Sequence, residues 1–314
     1  MIKQNISAYI KRQPQLFILA GFIIIFSAAI PSFFSVGNFM NILKQNSSLS
    51  IVSCGLALVV IGGNLDLSVG SLLSLTLGVS LSMTMHNSFF AIAVPLLMAL
   101  GVGVINGYIV SKFKVSSIIV TLGSLSAIAG FVQFYRKGNI IMGLPGLFYS
   151  RITDAKLLGI PSYVIIFIVL AVLYQVILTR TSYGRKLLYL GVNREAAVVA
   201  GINVKLITLI SFVICSFSVG IASVLQGARL LQGSTNTGAG LEFDALTAIL
   251  IGGISLKGGK GSIGSAVIGV FLLAVIINAL TLLNVPFEWR NIAKGILILI
   301  AIIADVLERK RYDQ

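Results

Sequence analysis

The chain has 314 residues, of which 57% are hydrophobic and 10% charged, and its formal net charge is +14. Soluble domains carry about 25% charged residues, so this composition excludes a water-soluble, disordered or disulfide-rich secreted protein and indicates an integral membrane protein. Ten helical spans of about 20 residues each leave about 114 residues for loops and tails, which is too few for a separate soluble domain.

Apolar segments along the chain predict an all-α, polytopic bundle of about ten transmembrane helices. They cover residues 16–34, 47–63, 69–85, 89–110, 116–134, 162–179, 206–228, 244–256, 262–283 and 289–307. Short, glycine-interrupted segments such as 244–256 are typical of broken or re-entrant helices. We expect a single transmembrane domain over 1–314, with tails at 1–15 and 308–314. The first segment also has the outline of a cleaved signal peptide, but the many later segments favour a retained span.

The distribution of basic residues predicts the orientation. Lys and Arg accumulate in cytoplasmic loops. If the N-terminus is cytoplasmic, fifteen basic residues fall on that side, and only Arg136, Lys137, Arg151 and Lys156 fall on the outer side. We therefore predict that both termini are cytoplasmic. The same distribution argues against nucleic acid as a partner, because the charge is not gathered on a soluble face.

Two parts of the chain resemble each other. The run Ala57–Gly63 is similar to Ala248–Gly253, since each is an apolar stretch that ends in Gly-Gly. One interpretation is chance in a chain with so biased a composition. The other is an internal pseudo-repeat, which in transporters places the substrate path where the two halves meet.

The glycine-rich segment 62–71 contains Asn64, Asp66 and Ser68. Glycines break a helix here, and open backbone at membrane depth is tolerated only against protein or a water-filled path. A carboxylate beside a span is a functional-site hypothesis, so we assign Asn64, Asp66 and Ser68 to a substrate pathway. Asp66 has an alternative role as the cap of the following helix, with backbone N–H groups near Ser68 and Val69 as donors.

The basic loop 180–205 is predicted to carry a short helix. Asn193 is expected to cap it, Glu195 to lie in its first turn, and Gly201 to end it. Ala196 and Ala197 leave one face small enough to enter a groove of another protein. On the residues alone, docking to a partner and covering the bundle are equally compatible with this pattern.

Several stretches resemble one family of permeases. Glu195-Ala196-Ala197, followed by Gly201, reproduces the EAA---G pattern of the cytoplasmic coupling loop in ABC importer permeases. The runs at 65–71, 183–193, 200–205, 238–245 and 251–261 resemble the sugar-permease branch more closely. Over about residues 15–308 the chain is similar to ribose-type monosaccharide importer permeases. One departure is Leu241-Glu242-Phe243, where many members have Tyr-Glu-Leu, and it puts the usual specificity in doubt.

The resemblance implies a set of partners. A second permease subunit, identical or paralogous, would complete the pathway. ABC ATPase subunits would dock on the 180–205 loop, and a periplasmic sugar-binding protein would deliver substrate to the outer face. The chain would lie in the bilayer of a bacterial inner membrane. The polar residues Ser234, Asn236, Glu242 and Asp244 are expected to line the outer mouth and hydrogen-bond a sugar, although Glu242 and Asp244 also suit a helix cap.

The sequence predicts no chemistry in this chain. The phosphate-binding pattern G-x-x-x-x-G-K-[ST] is absent, because Ile254 and Gly261 occupy its first glycine and its Ser/Thr position around Lys260. ATP and Mg²⁺ are therefore expected on the partner ATPase, and we predict no catalytic residue, cofactor or metal in this chain. Two alternatives remain: a branched-chain amino acid ABC permease, and an ion-coupled secondary transporter for which Asp66 is the only titratable candidate.

Overall fold

The computed structural model describes residues 14–145, 149, 151–152, 155–157 and 159–312. In chain order the helices are α1 (Pro14–Ala29), α2 (Val36–Ile61), α3 (Val69–Met83), α4 (Ser88–Phe113), α5 (Ser117–Arg136), α6 (Ser162–Arg180), α7 (Ser182–Val192), α8 (Arg194–Val199), α9 (Val204–Leu230), α10 (Leu241–Ile251), α11 (Ile263–Leu282) and α12 (Phe287–Tyr312). Four two-residue strands form two antiparallel pairs. Strand β1 (Ile141–Met142) pairs with β4 (Gln232–Gly233), and β2 (Lys156–Leu157) pairs with β3 (Ile160–Pro161).

Six helices among the described residues are long and apolar enough to cross a membrane, namely α2, α4, α5, α6, α9 and α11. Helices α1 and α3 are shorter apolar helices of 16 and 15 residues. The chain is therefore a multi-pass, all-α membrane protein, as its composition predicts. The count of about ten spans and the cytoplasmic position of both termini stay predictions.

The loops gather at two opposite ends of the bundle. At one end, which we call the Glu195 end, the backbone N–H of Gly259 donates to Ile61 O at 2.8 Å, so the loops after α2 and α10 meet beside α7. At the Tyr149 end, the backbone N–H of Tyr149 donates to Ser88 Oγ at 3.0 Å. Helices α2, α4 and α6 run toward the Glu195 end, and α3, α5, α9 and α11 run back.

The centre of the bundle is α9, which packs against α2, α3 and α4. Small residues allow a close approach at these crossings. A Cβ built on Gly103 would lie 2.8 Å from Ser216 Cβ, and one on Gly107 would lie 3.0 Å from Leu209 Cδ1. Transmembrane helices associate through such small-residue contacts, so the Gly103-x-x-x-Gly107 ridge of α4 serves helix packing.

The two similar runs end in the same backbone arrangement. The N–H of Gly62 donates to Leu58 O at 3.1 Å, and the N–H of Gly252 donates to Ala248 O at 2.9 Å. The next glycine in each run is left-handed, with φ of 76° and 89°. The residue after it donates to the carbonyl five positions earlier, at 3.1 and 3.0 Å. Helices α2 and α10 therefore stop by the same capping geometry at the same end of the bundle.

Several predicted boundaries are wrong. Helix α2 begins at Val36, not at residue 47, because its polar stretch is satisfied inside the bundle, where Arg229 Nη1 donates to Lys44 O at 3.0 Å. The predicted segment 244–256 is helical only to Ile251, where the Gly-Gly cap stops it. Of the predicted tails, residues 1–13 and 313–314 lie outside the described residues.

Candidate functional site

A re-entrant segment, residues 232–240, leads into α10 at the depth of the helices. It starts at the Tyr149 end, where Leu231 O accepts from the N–H of Gly143 at 2.9 Å. It then descends along α3, where the N–H of Gly238 donates to Ser74 Oγ at 2.9 Å. Ser74 lies in the second turn of α3, well inside the bundle. Helix α10 therefore starts within the bundle and has only 11 residues.

A ridge of small residues on α3 receives this segment. Gly70, Ser74 and Gly78 recur every four residues and so share one helix face. A Cβ on Gly70 would lie 2.5 Å from Gly238 O, and one on Gly78 would overlap the guanidinium of Arg136. A larger residue at position 70 would therefore push the segment away from α3, whereas one at position 78 would displace the Arg136 guanidinium.

The predicted mouth residues Ser234 and Asn236 lie on the exposed side of the re-entrant segment. A local turn orders them: the N–H of Ser234 donates to Thr237 Oγ1 at 2.8 Å, and the same hydroxyl donates to Ser234 O at 2.9 Å. Hydroxyl and amide groups on a fixed turn are suited to hydrogen-bonding a polyhydroxylated solute.

Glu242 and Asp244 occupy the first turn of α10, where the helix dipole favours a carboxylate. Glu242 is 6% exposed, and its Oε2 has no hydrogen-bond partner among the described residues. Asp244 Oδ2 accepts from Lys294 Nζ of α12 at 2.6 Å. That ion pair borders a cavity of about 120 Å³, which Gln45 and Asn278 also line.

Asp66 lies at the start of a hydrogen-bonded network toward the Glu195 end. Its Oδ1 accepts from the Ser68 hydroxyl at 2.6 Å and from the Ser68 N–H at 2.9 Å. The amide of Asn106 donates to Ser68 Oγ at 3.1 Å, and the hydroxyl of Ser124 donates to Asn106 Oδ1 at 2.6 Å. The network joins α3, α4 and α5, and Asp66, Ser68 and Asn106 are completely buried.

The pathway residues predicted from the sequence therefore fall into two groups. Ser234, Asn236, Glu242 and Asp244 belong to the re-entrant segment and the start of α10, whereas Asn64, Asp66 and Ser68 are buried in the connection between α2 and α3. Asp66 accepts from the backbone of Ser68, the residue before α3, so its position supports the capping alternative as well.

The predicted docking helix is α8. Asn193 Oδ1 accepts from the N–H of Ala196 at 2.9 Å, so this residue caps the helix, and Gly201 follows the helix end with φ of 74°. Glu195 and Ala196 are exposed, while Ala197 faces the bundle. Val198 and Val199 are also exposed, the latter at 90%. An apolar, uncovered surface at the tip of a helix is suited to a protein partner.

Close glycine contacts connect the docking loop to the end of the first similar run and to the loop that follows α10. We call this the glycine junction, formed by Gly63, Gly191, Gly258 and Gly259. A Cβ on Gly191, at the end of α7, would overlap Ile61 O and Gly259 N, and one on Gly258 would lie 2.7 Å from Gly63 N. Three backbones therefore meet at van der Waals distance. The end of α7 therefore contacts the loops after α2 and α10 directly through backbone atoms.

Sequence reasoning missed part of the site. It placed Arg136 in an outer loop, yet this side chain is 3% exposed and bonds α3. It did not single out Ser74 and Gly78. The available signal was the spacing Gly70-x-x-x-Ser74-x-x-x-Gly78, a small-residue pattern of closely packed membrane helices.

Comparisons with known proteins agree with this architecture. Residues 38–302 match the family model described as branched-chain amino acid transport system / permease component. The ribose import permease protein RbsC of Escherichia coli strain K12 is 34% identical over 307 residues, which cover 95% of this chain and 94% of that protein. The ribose permease of Bacillus subtilis strain 168 is 32% identical, with 92% and 90% covered. The L-arabinose permease AraH of E. coli K12 is 28% identical, with 90% and 86% covered. No solved structure matches the chain.

Proposed function

The chain belongs to the branched-chain amino acid transport system / permease component family, and we propose that it is the membrane-spanning subunit of an ATP-binding cassette importer for a monosaccharide. Sugar permeases similar along nearly the whole chain support this function. The observation that carries it is the position of a re-entrant polar segment and an exposed, capped docking helix at opposite ends of one bundle.

Transport in this proposal involves no chemistry in the chain. The substrate would pass along Ser234, Asn236 and the start of α10, while ATP and Mg²⁺ would be bound by a separate ATPase. The ATPase would contact Glu195, Ala196 and the exposed valines of α8. The glycine junction would transmit its closure to the ends of α2 and α10, and alternating access would follow from the movement of these elements against the re-entrant segment.

The expected assembly follows from the same reasoning. A second permease subunit would face the exposed sides of α5 and α12, a periplasmic sugar-binding protein would cover the Tyr149 end, and the ATPases would cover the Glu195 end. The location would be a bacterial inner membrane with both termini in the cytoplasm. Ribose-like pentoses, hexoses and autoinducer-2-type sugars are the substrate classes that the predicted hydroxyl and amide contacts suit.

Two alternative functions can be compared with monosaccharide import. Branched-chain amino acid import is favoured by the description of the family model and by the apolar residues Leu241 and Phe243 that flank Glu242. Ion-coupled secondary transport would depend on Asp66. Uptake by the purified chain alone, driven by an ion gradient in proteoliposomes, would support the secondary transporter and contradict the importer.

The main experiment reverses the charge of the docking helix. Glu195→Lys is expected to reduce ATP-dependent sugar uptake by at least about tenfold, because it places a cation in the first turn of α8 and at the ATPase surface. Glu195→Asp, which keeps a carboxylate in the first turn of α8, is the matched control and should retain uptake. Normal uptake by Glu195→Lys, with both proteins inserted at equal levels, would refute the docking assignment.

A further inference from the structure

We propose that Arg136 is the positioning residue that fixes the re-entrant segment 232–240 on α3. The inference rests on the proposed function insofar as this segment lines the sugar path. The contact between Arg136 and the segment lies within this chain, so it can be tested without sugar, ATPase or binding protein.

Arg136 joins two separate segments through one guanidinium group. Nη2 donates to Ser74 O of α3 at 2.5 Å, and Nη1 donates to Ser234 O of the re-entrant segment. The side chain is 3% exposed. It projects from the last residue of α5, so three elements that are distant in the sequence converge on it.

Only arginine suits this position. Its planar fork presents several N–H donors in a fixed geometry, whereas a lysine ammonium is a point charge on a flexible stem. An ionised side chain at membrane depth is costly unless it finds partners. The two carbonyls supply those partners, and Gly78 leaves the space that the guanidinium fills.

Apart from Arg136, the segment is held at its two ends. Gly233 pairs with Ile141 of β1 and packs against Leu77 of α3, and the N–H of Gly238 donates to Ser74 Oγ. The turn at Ser234 and Thr237, between these two anchors, is local and keeps its shape without α3. Loss of the guanidinium would therefore leave this turn without a hydrogen bond to α3, and Ser74 beneath it would become accessible.

A cysteine reporter under the segment measures that release. Ser74 is 3% exposed, and Ser74→Cys introduces a slightly larger thiol whose sulfur accepts more weakly from the Gly238 N–H, so every variant is compared within this background. The chain's own Cys54 and Cys215 are completely buried in the helical core, so they report general loosening in the same molecule. The chain in lipid nanodiscs, with both faces open to a water-soluble maleimide, would be labelled over time and the three sites quantified by peptide mass spectrometry.

Arg136→Gln in the Ser74→Cys background is expected to raise the labelling rate at position 74 by about tenfold or more, as loss of a charge-assisted hydrogen bond predicts, with no change at Cys54 and Cys215. Arg136→Lys should give a smaller increase. The matched control is Arg229→Gln, which removes a half-buried arginine that also donates to a carbonyl, that of Lys44, but does not touch the segment.

An unchanged rate at position 74 in Arg136→Gln would overturn the proposal, and so would an equal increase in Arg229→Gln or at the two native cysteines. If Arg136→Gln does not insert, Gly78→Ala decides in its place. A Cβ there overlaps the guanidinium and should raise labelling at position 74 with Arg136 still present. Gly123→Ala, whose Cβ would meet nothing within 4 Å, should leave it unchanged. If labelling at position 74 changes as expected but the importer assembled with the unaltered chain takes up no sugar, the proposed function is contradicted and the role of Arg136 stands.

Discussion

Gly259→Ala tests whether the glycine junction couples the docking loop to the end of α2 and to the loop after α10. Gly259 is left-handed with φ of 73°, and its N–H donates to Ile61 O. A Cβ at this position would lie 2.8 Å from Val192 N and 2.9 Å from Val192 Cα. Both atoms belong to the backbone, so no side-chain rotation relieves the overlap, and the two loops must separate.

The magnitude has two parts. An L-residue in the left-handed region costs about 1–2 kcal/mol, and overpacking a close contact costs about 1–3 kcal/mol. Their sum, about 2–5 kcal/mol, exceeds the roughly 1 kcal/mol of a single backbone hydrogen bond. We therefore expect the bond between Gly259 and Ile61 to break before the rest of the bundle yields.

The assay compares sugar uptake with ATP hydrolysis in proteoliposomes that contain the complete importer. Gly259→Ala is expected to lower the sugar transported per ATP at least about fivefold, since about 1 kcal/mol of lost coupling corresponds to that ratio. Gly138→Ala is the matched control, because Gly138 has φ of 78° and its Cβ would meet nothing within 4 Å. Gly138→Ala therefore introduces the strain of an L-residue in the left-handed region but no overlap with neighbouring atoms. Equal losses of coupling and of thermal stability in the two variants would refute the role of the junction.

Two further predictions concern the carboxylates. Asp66→Asn retains an oxygen that accepts from Ser68 N–H, whereas Asp66→Leu leaves buried donors unsatisfied at a cost of about 1–3 kcal/mol. Asp66→Asn should therefore lower the free energy of unfolding by less than Asp66→Leu. Thermal unfolding in nanodiscs measures both variants, and equal losses would contradict a capping role. The side chains of the ion pair between Asp244 and Lys294 are about a quarter exposed. A double-mutant cycle of Asp244→Asn and Lys294→Gln should therefore give a coupling free energy of about 1 kcal/mol or less that weakens with added salt. A coupling that is insensitive to salt would contradict this prediction.

Local patterns in the sequence were sufficient to predict the docking helix. Asn193 caps α8, Glu195 lies in its first turn and Gly201 follows its end, because capping depends on residues within one turn of each other. The all-α membrane class followed equally directly from composition. These features involve no contact between distant parts of the chain.

Features that depend on contacts between distant parts of the chain could not be predicted from the sequence. Arg136 bonds a carbonyl 98 positions away in the chain, and charge counting placed it in an outer loop because that rule reads only neighbouring residues. The descent of residues 232–240 along α3 depends on Gly70 and Gly78, whose small-residue spacing predicts close packing but not which segment packs there. The early start of α2 was missed for the same reason, since a distant arginine satisfies its polar stretch.

The length of α10 sets the thickness of the barrier on its side of the bundle. Its 11 residues rise about 16 Å, which is roughly half of a hydrocarbon core of about 30 Å. The rest of that depth is filled by the nine residues of the re-entrant segment, and beyond the far end of α10 lies a cavity of about 900 Å³ at the Glu195 end. If the solute crosses here, as the proposed function requires, it would meet a partition of loop and short helix in place of a full-length span, and displacing a few backbone contacts would open it.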